Sequence, residues 1–222
     1  MSKHTLLPSC IFPPVPWMAA FLQYENCLIE IHETFAKQTF RNRMDILTAE
    51  GKTSLTVPVS KPNGNRSKTM EIMVSDHQHW QRQQLATIES AYGSSPYFDF
   101  FSDKIEDFFH QKHNSLIEMN DASVKCLLSI LRIEKHIHHT KEFTPPNHAE
   151  SRHNDLRYLL SPKQHGFYEF SAPPYYQLFK GSTQFLSNLS VLDLVFNTGL
   201  ESVQYLKHYP IEKFIVSLQK HC

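Results

Sequence analysis

Residues 37 to 43, Lys37-Gln38-Thr39-Phe40-Arg41-Asn42-Arg43, place three fixed positive charges and two side-chain amides within seven residues. No Asp or Glu falls between Glu33 and Asp45, so the local field is positive and uncompensated in sequence. The chemistry this predicts is anion binding. Arginine offers a planar fork that holds a carboxylate or phosphate through two parallel hydrogen bonds, whereas Lys37 acts as a mobile point charge. Arg41 and Arg43 are two apart, so in an extended segment both face the same way. The competing interpretation is an exposed basic turn with no ligand.

The other reactive side chains carry weaker signals. His136, His138 and His139 lie within four residues, with His148 and His153 nearby, and neutral imidazole is a common ligand for zinc, copper or nickel. There is no HExxH pattern, and the adjacent His138 and His139 do not share one face of a helix or strand, so no metal site is assigned. His77 falls in the first turn of an expected helix, where a free histidine suits general acid-base work. Cys10 and Cys27 have apolar neighbours, which predicts buried, inert thiols. The chain has no GxSxG elbow, no GxxxxGK[ST] loop and no GxGxxG fingerprint, and its 6 glycines could scarcely supply them. Hydrolase, nucleotidase and dehydrogenase classes lose support accordingly, and the sequence leaves the cofactor unknown.

Composition narrows the class further. The 222 residues suffice for a full core, and we expect one domain: strand-rich over 1–75, helical over 76–134, loop-rich over 135–187 and helical over 188–222. Lys plus Arg equals Asp plus Glu at 22 each, so no global basic field gathers nucleic acid. No run approaches the ~20 apolar residues of a membrane helix. The first twenty residues lack the charged start and apolar block of a signal peptide, and the four cysteines show no zinc or disulfide spacing, which together predict a cytoplasmic protein with reduced thiols. Nothing fixes the oligomeric state.

The elements that must position these residues follow from periodicity. Residues 5–12 are expected as a strand stopped by Pro13-Pro14, 17–24 as a helix and 27–31 as a second strand. Such a strand, helix, strand unit leaves a loop at a strand's carboxyl end for a ligand, here the Phe12-Pro13-Pro14 corner. Residues 44–48 and 53–59 form a hairpin, with Pro58 marking an edge or an end, and 70–74 a fifth strand. Asp76 is expected to cap a helix running from 77 to 92, stopped by Gly93. Residues 96–133 predict two or three helices, and the His-rich 135–155 a surface loop. Three more helices are expected over 189–196, 200–209 and 211–220. The fold class is thus mixed α/β, a small N-terminal mixed sheet of about five strands carrying helices, with a helix-rich C-terminal half.

The whole pattern resembles the WbqC-like protein family. The resemblance rests on Ile11-Phe12-Pro13-Pro14 followed by Trp17 and Phe21; Lys37 to Arg43; Leu55-Thr56-Val57-Pro58-Val59; Trp80 with Ile88 and Ala91-Tyr92; Ser95-Pro96-Tyr97-Phe98; and Asn188 to Gly199. It implies a place in surface-polysaccharide (O-antigen-type) biosynthesis and the transfer of an aminoacyl group such as glycine to an amino sugar. One departure stands out: family members often carry a histidine four residues after the tryptophan, and here that residue is Gln84, which can position a substrate but cannot shuttle a proton near neutral pH. The implied site has Pro13 and Pro14 shaping a loop, and Lys37, Arg41 and Arg43 on the pyrophosphate of a sugar nucleotide. Asn42, Asn188, Trp80 and Gln84 contact the rest of the substrate, Asn188 from the start of a helix whose free amides favour anions. His77 or Asp193 is the candidate base, and Arg41 or Lys37 the oxyanion partner. The alternative is a protein that binds such a precursor without turning it over.

Overall fold

The two apolar runs that flank Trp17 pair side by side in a computed structural model, which describes residues 4–76, 79–146, 153–178 and 184–219. Strand β1 (His4–Pro8) and strand β2 (Cys27–Glu30) are parallel, with Thr5 opposite Cys27 and Pro8 opposite Glu30. Parallel neighbours need a crossover, and helix α1 (Val15–Gln23) supplies it. Pro14 stands at its N-cap with extended backbone, its carbonyl accepts from the amides of Trp17 (2.9 Å) and Met18 (3.2 Å), and Pro16 occupies the first turn, where its missing N–H costs nothing. The first strand stops earlier than expected, at Pro8, because residues 9–14 leave the sheet for a buried corner. There Phe12 has φ 34°, donates its amide to Ser123 Oγ (3.0 Å) and gives its carbonyl to Ser190 Oγ (2.8 Å).

The expected five-strand sheet is divided. Strand β3 (Arg43–Thr48) and strand β4 (Gly51–Thr56) form the antiparallel hairpin, with Thr48 opposite Gly51 and a tight reversal through Ala49-Glu50; Gly51 has φ +104°, which favours glycine. Asn42 locks its mouth, donating Nδ2 to the Val57 carbonyl (2.9 Å) and accepting the Val57 amide (2.8 Å). The fifth strand contracts to a two-residue pairing of β5 (Val59–Ser60) with β6 (Met73–Val74), since a 3-10 turn takes residues Thr69–Glu71. The third strand of the parallel sheet comes from far along the chain: β7 (His153–Asp155) pairs with β1, giving the order β2-β1-β7. The His-rich segment is also more than a surface loop, because Ile29 donates to the His138 carbonyl (2.8 Å) and Thr140 donates to the Ile29 carbonyl (3.0 Å) along the free edge of β2. Backbone pairing of this kind is indifferent to side-chain polarity, so composition could not reveal it.

The helices follow their periodicity closely. Helix α2 (Trp80–Tyr92) starts three residues later than expected: His79, in the left-handed region at φ 50°, takes the N-cap, and Asp76 instead faces Lys112 at 3.7 Å. Helices α3 (Phe98–His110) and α4 (Leu116–Leu131) follow, the latter capped by Ser115 Oγ, which accepts from the Glu118 amide (3.1 Å). Helices α5 (Val191–Thr198), α6 (Ser202–His208) and α7 (Ile211–Gln219) complete the C-terminal part, with a 3-10 turn between the first two. One apolar cluster extends from Leu7 to Leu218. Phe12 meets Phe108 edge-on at 4.6 Å, and Tyr92 packs on Phe196 at 5.2 Å, which ties the corner and the helices into a single interior. Among the described residues no helix is long and apolar enough to cross a membrane.

Candidate functional site

All three parallel strands run the same way, so their carboxyl ends open on one side, where ligands of such sheets bind. Just past β2 come Glu33 and Thr34, and just past β7 come Arg157 and Tyr158. The chain returns there from the sequence's basic stretch with Thr39 and Arg41. These residues, with Phe143, Ser161 and Lys163, line a cavity of about 300 Å³, at the lower end of the range of small-ligand sites.

Two buried guanidiniums form its inner wall. Arg157 is fully buried and grips Asp155 with a two-pronged contact, Nε to Oδ1 at 2.8 Å and Nη2 to Oδ2 at 2.6 Å, while Nη1 reaches Glu30 Oε2 at 3.3 Å. Glu30 is satisfied on every side, also accepting from the amides of His32 (2.7 Å) and Thr144 (3.1 Å) and from Thr140 Oγ1 (3.1 Å). Arg41, 4% exposed, pairs through Nη2 with Glu33 Oε1, and its Nε has no partner. Buried N–H groups are rarely left unpaired, and this one is itself closed off from solvent, so it is a cost of the fold rather than a contact open to a ligand. Burial pushes the Glu33 carboxyl above its ordinary range, against the pull of Arg41 and Arg157. Lys163 donates Nζ to the Lys37 carbonyl (2.7 Å) and brings a further cation to the mouth, which is flanked by the exposed rings of Phe143 and Tyr158.

The expected anion edge is therefore answered largely from within: Glu30, Glu33 and Asp155 balance Arg41, Arg157 and Lys163. Arg41 and Arg43 do not act together. Arg41 lies in the turn before β3, where strand alternation does not apply, while Arg43 turns along the hairpin to Asp45 (Nε to Oδ1, 3.2 Å). Lys37 is exposed and contributes its carbonyl to the crevice rather than its charge.

The remaining residues of the expected site lie elsewhere. Pro13 and Pro14 are buried, their carbonyls accepting from Val191 and from α1. Asn188 sits at φ 64°, two residues before the true N-cap Ser190, and its amide is consumed by the Phe167 carbonyl and by Tyr209 Oη (2.6 Å). Trp80 donates Nε1 to the Ser75 carbonyl (3.1 Å), and Gln84 donates to the Thr56 carbonyl (2.9 Å). Asp193 is fully enclosed, accepting from Tyr92 Oη (3.0 Å), Tyr175 Oη (2.5 Å) and Gln177 Nε2 (2.8 Å); burial raises its pKa against these three donors. His77 lies outside the described residues. Cys10 is buried with its thiol pushed well up, and burial pushes Cys27 up to about 11, so neither is a nucleophile at neutral pH. Among the described residues no three His, Cys, Asp or Glu side chains gather as metal ligands.

Sequence reasoning missed Glu33, Arg157, Tyr158, Ser161 and Lys163. The available signal was the Asp155-x-Arg157 spacing, which on a strand end allows a carboxylate and a guanidinium to meet on one face.

A mixed α/β chain with a polar crevice at the carboxyl edge of a short parallel sheet is the class these features define. The chain belongs to the WbqC-like protein family, which it matches over residues 9–164. A curated relative, Uncharacterized protein Rv1507c of Mycobacterium tuberculosis (strain ATCC 25618 / H37Rv), is 23% identical over 221 residues, covering 87% of this chain and 94% of that protein. No solved structure matches the chain.

Proposed function

We propose that the crevice beyond β1, β2 and β7 binds a nucleotide-linked amino sugar, and that the protein acylates its amino group in surface-polysaccharide biosynthesis. The observation that carries this reading is a cavity at the carboxyl edge of the parallel sheet lined by Arg41, Arg157 and Lys163 together with the hydroxyl residues Thr34, Thr39 and Ser161. Arginine and lysine suit a pyrophosphate, and the rings of Tyr158 and Phe143 give a base or sugar two faces to stack on. Glu33 takes the role of proton acceptor, which Asp193, sealed among its own donors, is not placed to fill: a carboxyl raised by burial is better matched to a proton transfer near neutral pH. In that step Glu33 takes a proton from the sugar ammonium, and the free amine attacks the carbonyl of an activated aminoacyl ester or thioester. The C–N bond forms, Arg41 faces the oxyanion, and the alkoxide or thiolate leaves with a proton.

A second reading, binding without turnover, is favoured by the internal charge balance of the crevice and by the absence of a low-pKa nucleophile among the described residues. Titrating UDP-glucosamine into the protein separates these readings from no ligand at all, since a ligand of the folded state raises the melting temperature. Adding a glycyl thioester and following the sugar by mass spectrometry then separates enzyme from binder: a glycyl mass increment supports transfer, and tight binding with unchanged mass leaves only the binder. Lys163→Ala, on an exposed side chain, should weaken binding without lowering stability. If UDP-glucosamine binds equally well to that variant, the crevice is not the site.

A further inference from the structure

The C-terminal part carries a second and larger cavity, of about 680 Å³, between the α2–α3 connection, residues 174–176 and helices α5 and α6. Its walls are tyrosines. Tyr175 and Tyr205 stand edge to face with ring centres 5.3 Å apart, and Tyr176 is 54% exposed. Two rings are anchored by their hydroxyls, Tyr175 on Asp193 and Tyr205 on the Pro173 carbonyl (2.6 Å), and the backbone amide of Tyr97 donates to the Phe196 carbonyl (3.0 Å). Tyr97 lies flat against Gly199, where a Cβ would come within 2.6 Å of the ring, so the glycine (φ +59°) is what allows that ring its position. Asn197, 4% exposed, lines the same cavity; its amide nitrogen donates to the Asp193 carbonyl (2.7 Å), and its Oδ1 has no partner. Glu201, Gln204 and His208 are exposed at the rim, and no Lys or Arg lines the cavity.

We propose that this cavity binds one pyranose ring of a glycan, either uncharged or bearing an amino group. A pyranose has an apolar C–H face and an edge of hydroxyls, and rigid aromatic walls with planar amide and carboxylate groups at the rim complement both. The rim's single fixed charge is negative, which admits an ammonium and opposes a carboxylate. Phosphate has no fixed cation to hold it there. This site is separate from the arginine crevice and stands whether or not that crevice binds a sugar nucleotide; if both hold, it would seat the glycan that precedes or receives the modified sugar.

Saturation-transfer NMR on the full chain tests this with three probes: glucosamine, N-acetylglucosamine and glucuronic acid. The expected result is transfer to the ring protons of the first two and weaker binding of glucuronic acid. Tyr176→Ala should weaken binding by about tenfold through the loss of one aromatic face, at unchanged melting temperature, whereas Lys163→Ala should leave it unchanged. No transfer to either amino sugar overturns the site. Full binding by both Tyr176→Ala and Gln204→Ala overturns its location, and equal affinity for glucuronic acid overturns the ligand class.

Discussion

The crevice at the sheet edge and the cavity beside α5 differ in how each treats charge. Around Arg41 and Arg157 the protein buries full charges and must answer them at once with Glu30, Glu33 and Asp155, leaving one guanidinium N–H unspent. Around Tyr175 and Tyr205 it buries one carboxylate, Asp193, behind hydroxyl and amide donors and shows the solvent aromatic rings and a polar rim whose one fixed charge is Glu201. A cationic binding wall thus has to be held in place by carboxylates that compete with its ligand, whereas an aromatic wall needs only packing. The first arrangement is costly to disturb, and the second is tolerant.

Arg157→Ala should show the largest effect, because it leaves Glu30 and Asp155 without their shared cation inside the protein; a loss of about 3–5 kcal/mol by urea denaturation is expected. A variant as stable as the parent would mean that this wall is solvated. Arg41→Ala is expected to lose stability for the same reason, since it strands Glu33, and so the geometry reverses the simple expectation that a ligand-binding arginine can be removed without harm. Next comes Asp193→Asn, which turns an amide N–H toward donors that need acceptors and should cost about 1–3 kcal/mol. Its pH dependence sharpens the comparison. Burial raises the Asp193 pKa, so between the ordinary carboxylate range and that raised value the folded state holds the proton more tightly than the unfolded chain, and this group's contribution to stability falls as pH rises. The variant has no such proton, so the wild type's advantage over it should grow as the pH is lowered through that window. A pH-independent difference would contradict the assignment.

Gly199→Ala probes the tolerant side: a positive φ and the Tyr97 ring together predict a loss of about 1–3 kcal/mol, with weakened N-acetylglucosamine binding as Tyr97 is displaced. The smallest effects belong to the exposed rims. Lys163→Ala and Tyr176→Ala should each leave the denaturation midpoint within experimental scatter while changing binding in their own site alone, and a variant that weakened both ligands would show that the two regions are coupled.

Much of this was determined by the sequence alone. The spacing of apolar residues defined the strand-helix-strand start, the hairpin and the helices from residue 98 onward, because periodicity reports which face of each element is buried. The family motifs and the basic stretch directed attention to Arg41, and the apolar surroundings of Cys10 and Cys27 predicted inert thiols. Only the tertiary structure decided what surrounds Arg41. Parallel pairing of β7 with β1 brings Arg157 and Asp155 to Glu30 from more than a hundred residues away, and no local pattern encodes a partner at that separation. The same holds for Asp193, whose fate as an enclosed acceptor depends on Tyr92 and Tyr175 arriving from different segments. Local sequence sets which residues turn inward, while the low dielectric of the interior, which demands a partner for each buried charge, decides which of them remain available to a ligand.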